Sequence, residues 1–214
     1  MEKIPVECGS SGEDIDIKIE TNDSNYCEIL IRNISLRQIS KLRKILISQI
    51  QTMAIEFIEV EQNSSALPDE TIIHRLCLLP IHCINIENFV HMNDCECEDE
   101  AGCNKCSIPF LLNVTGKGKN KYMVTSDHIE FSQKSLEIVA SRIPIFFLRN
   151  GESVIIRGKV QKCTGSVHFK WSPVTNAVVF YQVKDHSYRL SFEGIGQLKN
   201  EIIIKKAIDM LNNK

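Results

Sequence analysis

Four cysteines lie within twelve residues near the middle of the chain, and they constrain the local fold more than any other sequence feature. Cys95, Cys97, Cys103 and Cys106 form the pattern C-x-C-x5-C-x2-C, with Gly102 in the connecting loop. Two close pairs of thiolates can surround one ion tetrahedrally, which is the geometry that Zn²⁺ prefers. Four protein ligands leave no open coordination position, so the pattern predicts a structural Zn²⁺ in loop 95–106. An iron–sulfur cluster also takes four cysteines, and spacing alone does not separate the two metals.

The rest of the sequence carries no recognisable catalytic motif. It contains no His-Glu-x-x-His, no glycine-rich phosphate loop and no Gly-x-Ser-x-Gly. A dense thiol cluster favours metal capture over a catalytic cysteine, and four free surface thiols are the remaining alternative. His82 and His91 flank the cluster as further candidate ligands. Five acidic residues around the cysteines argue against contact with nucleic-acid phosphates: Asp94, Glu96, Glu98, Asp99 and Glu100. We therefore predict that the chain is not itself an enzyme.

The composition is that of a globular protein. Hydrophobic residues make up 43% of the 214 residues, enough for one large domain or two small ones. The net charge of −2 argues against a stand-alone nucleic-acid binder. No apolar run approaches the ~20 residues of a membrane span, and no secretory signal is visible. Nine cysteines, an odd number, are typical of a reducing compartment.

Two amphipathic helices are predicted near opposite ends of the sequence. Leu36 to Ile50 forms the first, with Ser35 as N-cap, and residues 200–212 form the last, with an apolar stripe about 160° wide. A stripe of that width predicts burial against two surfaces. Arg43 points into the first helix's stripe, so either its stem packs while its head reaches solvent, or it binds a carboxylate or carbonyl elsewhere.

The residues between these helices are mostly predicted as strands, with one shorter helix at 69–79. The predicted strands cover 15–20, 26–32, 53–61, 108–115, 121–125, 153–163, 174–183 and 187–193. This order favours an α+β fold with a discontinuous domain of residues 1–52 and 174–214. A β-rich domain of residues 53–173, carrying the zinc loop, is inserted in it.

Several segments, in order, resemble one known family. Residues 40–56, with Leu42-Arg43-Lys44 at their core, and the block at 60–81 are similar to segments of the α-like subunit of DNA-directed RNA polymerases. That family includes the third subunit of eukaryotic polymerase II and its archaeal counterpart. The His-x-Lys-Trp-x-Pro loop at 168–173 and the closing strand and helix at 188–211 also resemble it. Lys44 departs from the family's usual Arg, and the loop between the cysteine pairs is longer than usual.

The resemblance implies a non-catalytic assembly subunit whose discontinuous domain dimerises. The implied partners are a smaller α-like subunit, the second-largest subunit and a small zinc-bearing tenth-type subunit, with DNA reached only through the complex and no membrane involved. The location would be the nucleus for a eukaryotic chain, and the cytoplasm or virion for an archaeal or viral one. A free-standing zinc-stabilised interaction module is the alternative. The predicted partner-binding residues are Leu42, Arg43, Leu46, His74, Arg75, Leu78, Ile204, Ala207, Ile208 and Leu211.

Overall fold

The computed structural model describes residues 15–98 and 102–212, so the predictions for Asp99 and Glu100 lie outside the described residues. Within these ranges the chain forms three α-helices and twelve strands. The helices are α1 (Leu36–Ser48), α2 (Asp69–Cys77) and α3 (Asn200–Asn212). The strands are β1 (Asp16–Asn22), β2 (Tyr26–Arg32), β3 (Gln51–Asn63), β4 (Ile81–Cys83), β5 (Ser107–Thr115), β6 (Tyr122–Thr125), β7 (Ile129–Phe131), β8 (Leu136–Ile138), β9 (Pro144–Leu148), β10 (Ser153–Thr164), β11 (Val174–Gln182) and β12 (Ser187–Gly194).

The chain divides into two compact units. Of the described residues, the first unit combines 15–51 with 164–212, and the second contains 52–98 and 102–163. The sequence pattern predicted residues 164–173 as part of the inserted domain, whereas the structure joins them to the first unit. The reason is a contact to the end of α1, where the Ser166 amide donates a 2.9 Å hydrogen bond to the Ser48 carbonyl.

The first unit packs α1 and α3 with a four-stranded sheet. Its strand order is β1-β2-β12-β11, and all three neighbouring pairs are antiparallel. The predicted hairpin is present, with Ile17 opposite Ile31. The predicted N-cap is also present, because Ser35 and Gln38 form a capping box that satisfies free amides at the start of α1.

The apolar stripes of α1 and α3 are buried within this unit. Five of the predicted partner-binding residues are only 1–5% exposed, in one core with the sheet: Leu42, Leu46, Ile204, Ala207 and Ile208. The wide stripe of α3 predicted burial against two surfaces. Both surfaces belong to this chain: they are the four-stranded sheet and α1. The side chains of these five residues are therefore almost inaccessible to a partner protein. Within α1, Ile45 is fully buried, whereas Leu36 at the start of the helix is 68% exposed.

The second unit is built on a six-stranded sheet of order β7-β5-β10-β3-β4-β8, with β6 and β9 forming a separate two-stranded sheet. Ile72 and Leu76 of α2 are fully buried in its core. Four strands were not predicted from the sequence: β4, β7, β8 and β9. Among the described residues, no helix has the length and apolar character needed to cross a membrane.

Candidate metal centre

The four cysteines lie in the irregular segment that precedes β5. Cys95 follows a single 3-10 turn at Met92–Asp94. Cys103 and Cys106 belong to a tight turn in which the amides of Cys106 and Ser107 both donate to the Cys103 carbonyl, at 3.1 and 2.9 Å. The turn ends where β5 begins at Ser107, so the second pair of sulfurs is attached to the start of a sheet strand.

The sulfur positions match a tetrahedral tetrathiolate site. All four Sγ atoms lie within 4.8 Å of one another. The distances are 3.7 Å between Cys95 and Cys103, 3.7 Å between Cys97 and Cys106, and 3.9 Å between Cys103 and Cys106. With Zn–S bonds near 2.3 Å, a regular tetrahedron has edges of about 3.8 Å. These distances are far longer than the ~2.05 Å of a disulfide. The four cysteines can therefore hold one metal ion.

Main-chain amides point at the second pair of sulfurs. The Lys105 amide lies 3.4 Å from the Cys103 Sγ, and the Cys103 amide lies 3.2 Å from the Cys106 Sγ. The hydrogen bond from Lys105 lowers the pKa of the Cys103 thiol to about 7. Burial raises the pKa of the Cys106 thiol to about 12. Coordination to a cation would deprotonate this thiol outright.

Gly102 joins the two halves of the loop in a conformation that favours glycine. Its φ is +84°, and a Cβ atom there would lie 3.0 Å from both the Cys106 Sγ and the Ser107 Oγ. The Lys159 ammonium on β10 donates a hydrogen bond to the Gly102 carbonyl. The loop is thus attached to the sheet next to its sulfur ligands.

The two flanking histidines are not members of this sulfur cluster. His91 Nε2 lies 3.3 Å from the Sγ of Cys163, and its Nδ1 accepts a hydrogen bond from the Asn93 amide. His82 is on β4, opposite Glu137 of β8. The described ligand set is therefore four sulfurs.

The other predicted contact residues lie at or near the surface. His74 and Arg75 are exposed, and Leu78 is 50% exposed. The Arg75 guanidinium donates to the Ile145 carbonyl, which ties α2 to β9. Arg43 is exposed over part of its length and donates to the Ala177 carbonyl, and Leu211 is half-buried.

The strand β11 carries an apolar surface that the sequence pattern did not predict. Val178 is 40% exposed and Phe180 is 60% exposed, and their spacing of two residues puts them on one face of the strand. β11 lies at the edge of its sheet. The run Ala177-Val178-Val179-Phe180 is apolar throughout, so the sequence does not show which side chains are exposed. In the structure Ala177 is buried and Val179 half-buried, whereas Val178 and Phe180 are exposed.

Residues 55–183 match the family model described as the RNA polymerase Rpb3/RpoA insert domain, and the chain belongs to this family. Its curated relatives include RNA polymerase subunits from eukaryotes and archaea. It is 36% identical over 163 residues to DNA-directed RNA polymerase II subunit rpb3 of Dictyostelium discoideum, covering 72% of this chain and 52% of that protein. It is 31% identical to subunit RPB3 of Schizosaccharomyces pombe, covering 77% and 58%. It is 30% identical to subunit Rpo3 of Methanocaldococcus jannaschii, covering 81% and 78%. The match thus spans little more than half of the two eukaryotic relatives.

Proposed function

We propose that this chain is a non-catalytic assembly subunit of a multisubunit DNA-directed RNA polymerase. The observation that carries this proposal is the family match over residues 55–183, joined to relatives that are named as subunits of such polymerases. The alternative of a free-standing zinc-stabilised module is not favoured, because those relatives are named as parts of a larger enzyme. DNA would be reached only through the complex, in the nucleus of a eukaryote or the cytoplasm of an archaeon.

The first unit would pair with a smaller α-like subunit. Since the stripes of α1 and α3 are covered internally, the pairing surface we propose is the exposed face of β11, with Val178 and Phe180 at its centre. An edge strand that exposes large apolar side chains is prone to association unless a partner covers it. Leu36 and Ile202, 68% and 40% exposed at the starts of α1 and α3, are further apolar surface of this unit.

The second unit would contact the remaining partners. We assign the exposed residues His74, Arg75 and Leu78 of the α2 region to contacts with the second-largest subunit or the small tenth-type subunit. The four cysteines would hold one structural Zn²⁺, with no coordination position left for substrate. The ion would fix the loop that leads into β5.

Co-expression with the smaller α-like subunit of the same organism tests the proposal. We expect a one-to-one complex by native mass spectrometry, and a loss of that complex in Phe180→Asp, because a carboxylate would be desolvated at the contact. Val167→Asp is the matched control, since Val167 is 66% exposed in the same unit but lies outside β11. A stable monomer indifferent to the smaller subunit would contradict the assembly role. Equal retention of the complex by both variants would contradict the β11 surface.

A further inference from the structure

The two-stranded sheet of β6 and β9 exposes a pair of large apolar side chains on one face. Met123 lies opposite Phe147 in the antiparallel register, and the two side chains are 44% and 53% exposed. Their neighbours Val124 and Phe146 are buried, because successive side chains of a strand point to opposite faces. One face of this sheet therefore packs on the core of the second unit, and the other presents an apolar pair to solvent.

Two cations continue this exposed face at one end of the sheet. The antiparallel register, extended by one residue beyond the last pair, places Lys121 opposite Arg149, and both side chains are exposed. Because side chains alternate along a strand, Lys121 lies on the same face as Met123, and Arg149 on the same face as Phe147. Among the residues that the structure describes, neither cation has an ion-pair partner. Like charges opposite each other on neighbouring strands are destabilising, and an anionic group between them would remove that cost.

The two cations line one cleft of about 330 Å³ together with Phe147. The other charged residues of its lining are Arg75 and Glu152. The Arg75 guanidinium donates to a main-chain carbonyl of β9, and a carboxylate oxygen of Glu152 accepts a 2.7 Å hydrogen bond from the Arg149 amide. Three cations thus line the cleft with one carboxylate, which is already hydrogen-bonded to the main chain. The lining carries an excess of positive charge beside an exposed aromatic ring.

The loop between β5 and β6 adds to this charge. Its Gly116 amide donates a 2.8 Å hydrogen bond to the Glu152 carbonyl, which attaches the loop to the turn between β9 and β10. The loop contains Lys117 and Lys119, both exposed, and no carboxylate. This part of the second unit is therefore basic, although the whole chain has a net charge of −2.

We propose that this cleft binds an extended acidic segment of a partner protein, in which a carboxylate lies two residues from a large apolar side chain. The apolar side chain would lie against Met123 and Phe147, and the carboxylate would lie between Lys121 and Arg149. A spacing of two residues matches that of the cation and the apolar residue on each strand, because side chains on one face of an extended chain recur with that period. Charge-assisted hydrogen bonds to the carboxylate would add to the burial of apolar surface.

Other occupants fit this surface less well. A neutral apolar segment would leave the two opposed cations uncompensated. A second copy of the same face would bring cation against cation. A single nucleic-acid strand needs a basic groove that follows its backbone, whereas here the two cations stand opposite each other at one end of an apolar pair. The inference concerns a surface of this chain alone, so it does not depend on the polymerase role.

Titration of the full ¹⁵N-labelled chain, loaded with zinc, tests the proposal by NMR. The probe is the peptide acetyl-Glu-Ser-Phe-Ser-Glu-amide, which presents a carboxylate two residues from the ring in either chain direction. We expect millimolar binding, with amide shifts centred on Met123, Phe147 and Arg149. The comparison peptides replace both glutamates by glutamine, or the phenylalanine by alanine, and each should bind more weakly.

Charge-neutral variants separate the cleft from general surface charge. Lys121→Gln/Arg149→Gln should weaken binding of the acidic peptide about fivefold, because two exposed ion pairs are lost. Lys134→Gln/Arg157→Gln is the matched control, since it removes two exposed cations of the same unit that do not line the cleft, and it should leave binding unchanged. Phe147→Ala truncates an exposed ring and should weaken binding while leaving the spectrum of the core intact.

Four results would overturn the proposal. The first is an absence of shifts at the cleft, and the second is equal binding of the glutamine peptide. The third is unchanged binding of the acidic peptide in Lys121→Gln/Arg149→Gln. The fourth is a better occupant: tighter binding of a short oligothymidylate at the same amides would assign the surface to nucleic acid, and broadening of these amides with protein concentration alone would assign it to a second copy.

Discussion

The Nε atom of Arg43 donates a 2.7 Å hydrogen bond to the main-chain carbonyl of Ala177, and this bond joins α1 to β11. In the sequence, Arg43 lies within the apolar stripe of α1, and two explanations were open. Either its aliphatic stem packs while the guanidinium reaches solvent, or the guanidinium binds an oxygen of another element. The structure confirms the second, because a carbonyl of a separate strand accepts the bond. The same contact positions the strand whose outer face we propose as the pairing surface.

Arg43→Met should destabilise the first unit modestly. The substitution keeps the apolar stem and removes the donor, so the Ala177 carbonyl loses its side-chain partner. We expect a loss of about 0.5 to 1.5 kcal/mol in the free energy of unfolding, measured from urea midpoints. Arg37→Met on the exposed side of α1 is the control and should change the midpoint little. Equal midpoints for the two variants would contradict a structural role for the bond.

Cys97→Ser should abolish stable metal binding. A hydroxyl is a poor zinc ligand beside three thiolates, and a site with three sulfurs loses its closed tetrahedral shell. Elemental analysis of the purified chain should give one zinc per wild-type chain and far less in the variant. Cys77→Ser, on α2 and outside the sulfur cluster, should keep full zinc content. Iron with visible absorbance in the wild type would overturn the assignment to zinc.

Gly102→Ala should speed zinc release to a chelator, as read by a colorimetric metal indicator. Gly118→Ala provides a matched control, because Gly118 also has positive φ, +91°, but a Cβ there would meet no atom within 4 Å. Both variants carry the backbone strain of about 1 to 2 kcal/mol expected for a side chain in this conformation. Only Gly102→Ala also crowds the Cys106 sulfur. Identical release rates in the two variants would show that this crowding has no effect on the metal.

Long periodic segments of this chain were predictable from the sequence, whereas short strands were not. The hairpin of β1 and β2, all three α-helices and the long strands β3, β5 and β10 agree with the predicted elements. Strands β4, β7 and β8 have only three residues each, too few to show alternation. They are strands because neighbours in the sheet satisfy their main-chain groups, as where Ile81 pairs with both Met53 and Ile138.

The candidate sites show the same division between local and long-range information. The four cysteines are close in sequence, so their spacing was enough to predict that their sulfurs converge. By contrast, one cavity of the second unit is lined by Phe57, Phe110 and Phe131 from β3, β5 and β7, and no local pattern joins them. The burial of Leu42 and Ile208 depended on how two helices and a sheet pack, which periodicity on each helix cannot give.

Cys27 should make the first unit less stable in alkali. The side chain is fully buried, and burial raises the pKa of its thiol to about 11, with Glu201 and Glu28 adding to the shift. Unfolded cysteine titrates near pH 8.5, so the folded state holds this proton longer. The contribution of the Cys27 thiol to the free energy of unfolding is therefore fully present below about pH 8.5 and is lost as the pH rises to about 11. We expect this loss to be about 1 to 3 kcal/mol. In Cys27→Ala, urea midpoints should fall less steeply over this interval; parallel curves for the two proteins would contradict the prediction.

Lys162→Met should destabilise the second unit and loosen its metal loop. The side chain is 7% exposed, and its ammonium donates to the carbonyls of Phe89 at 2.6 Å and Ile86 at 3.3 Å. The next residue after Phe89, Val90, donates its amide to the Lys105 carbonyl inside the cysteine loop. Methionine would keep the stem but leave two buried carbonyls without this donor, at a cost of about 1 to 3 kcal/mol in the free energy of unfolding.

Urea unfolding and the rate of zinc release to a chelator should both change in Lys162→Met, whereas Lys134→Met, at an exposed turn, should change neither. A loss of stability with an unaltered rate of zinc release would show that Lys162 does not support the cysteine loop. No loss of stability at all would show that both carbonyls find other donors.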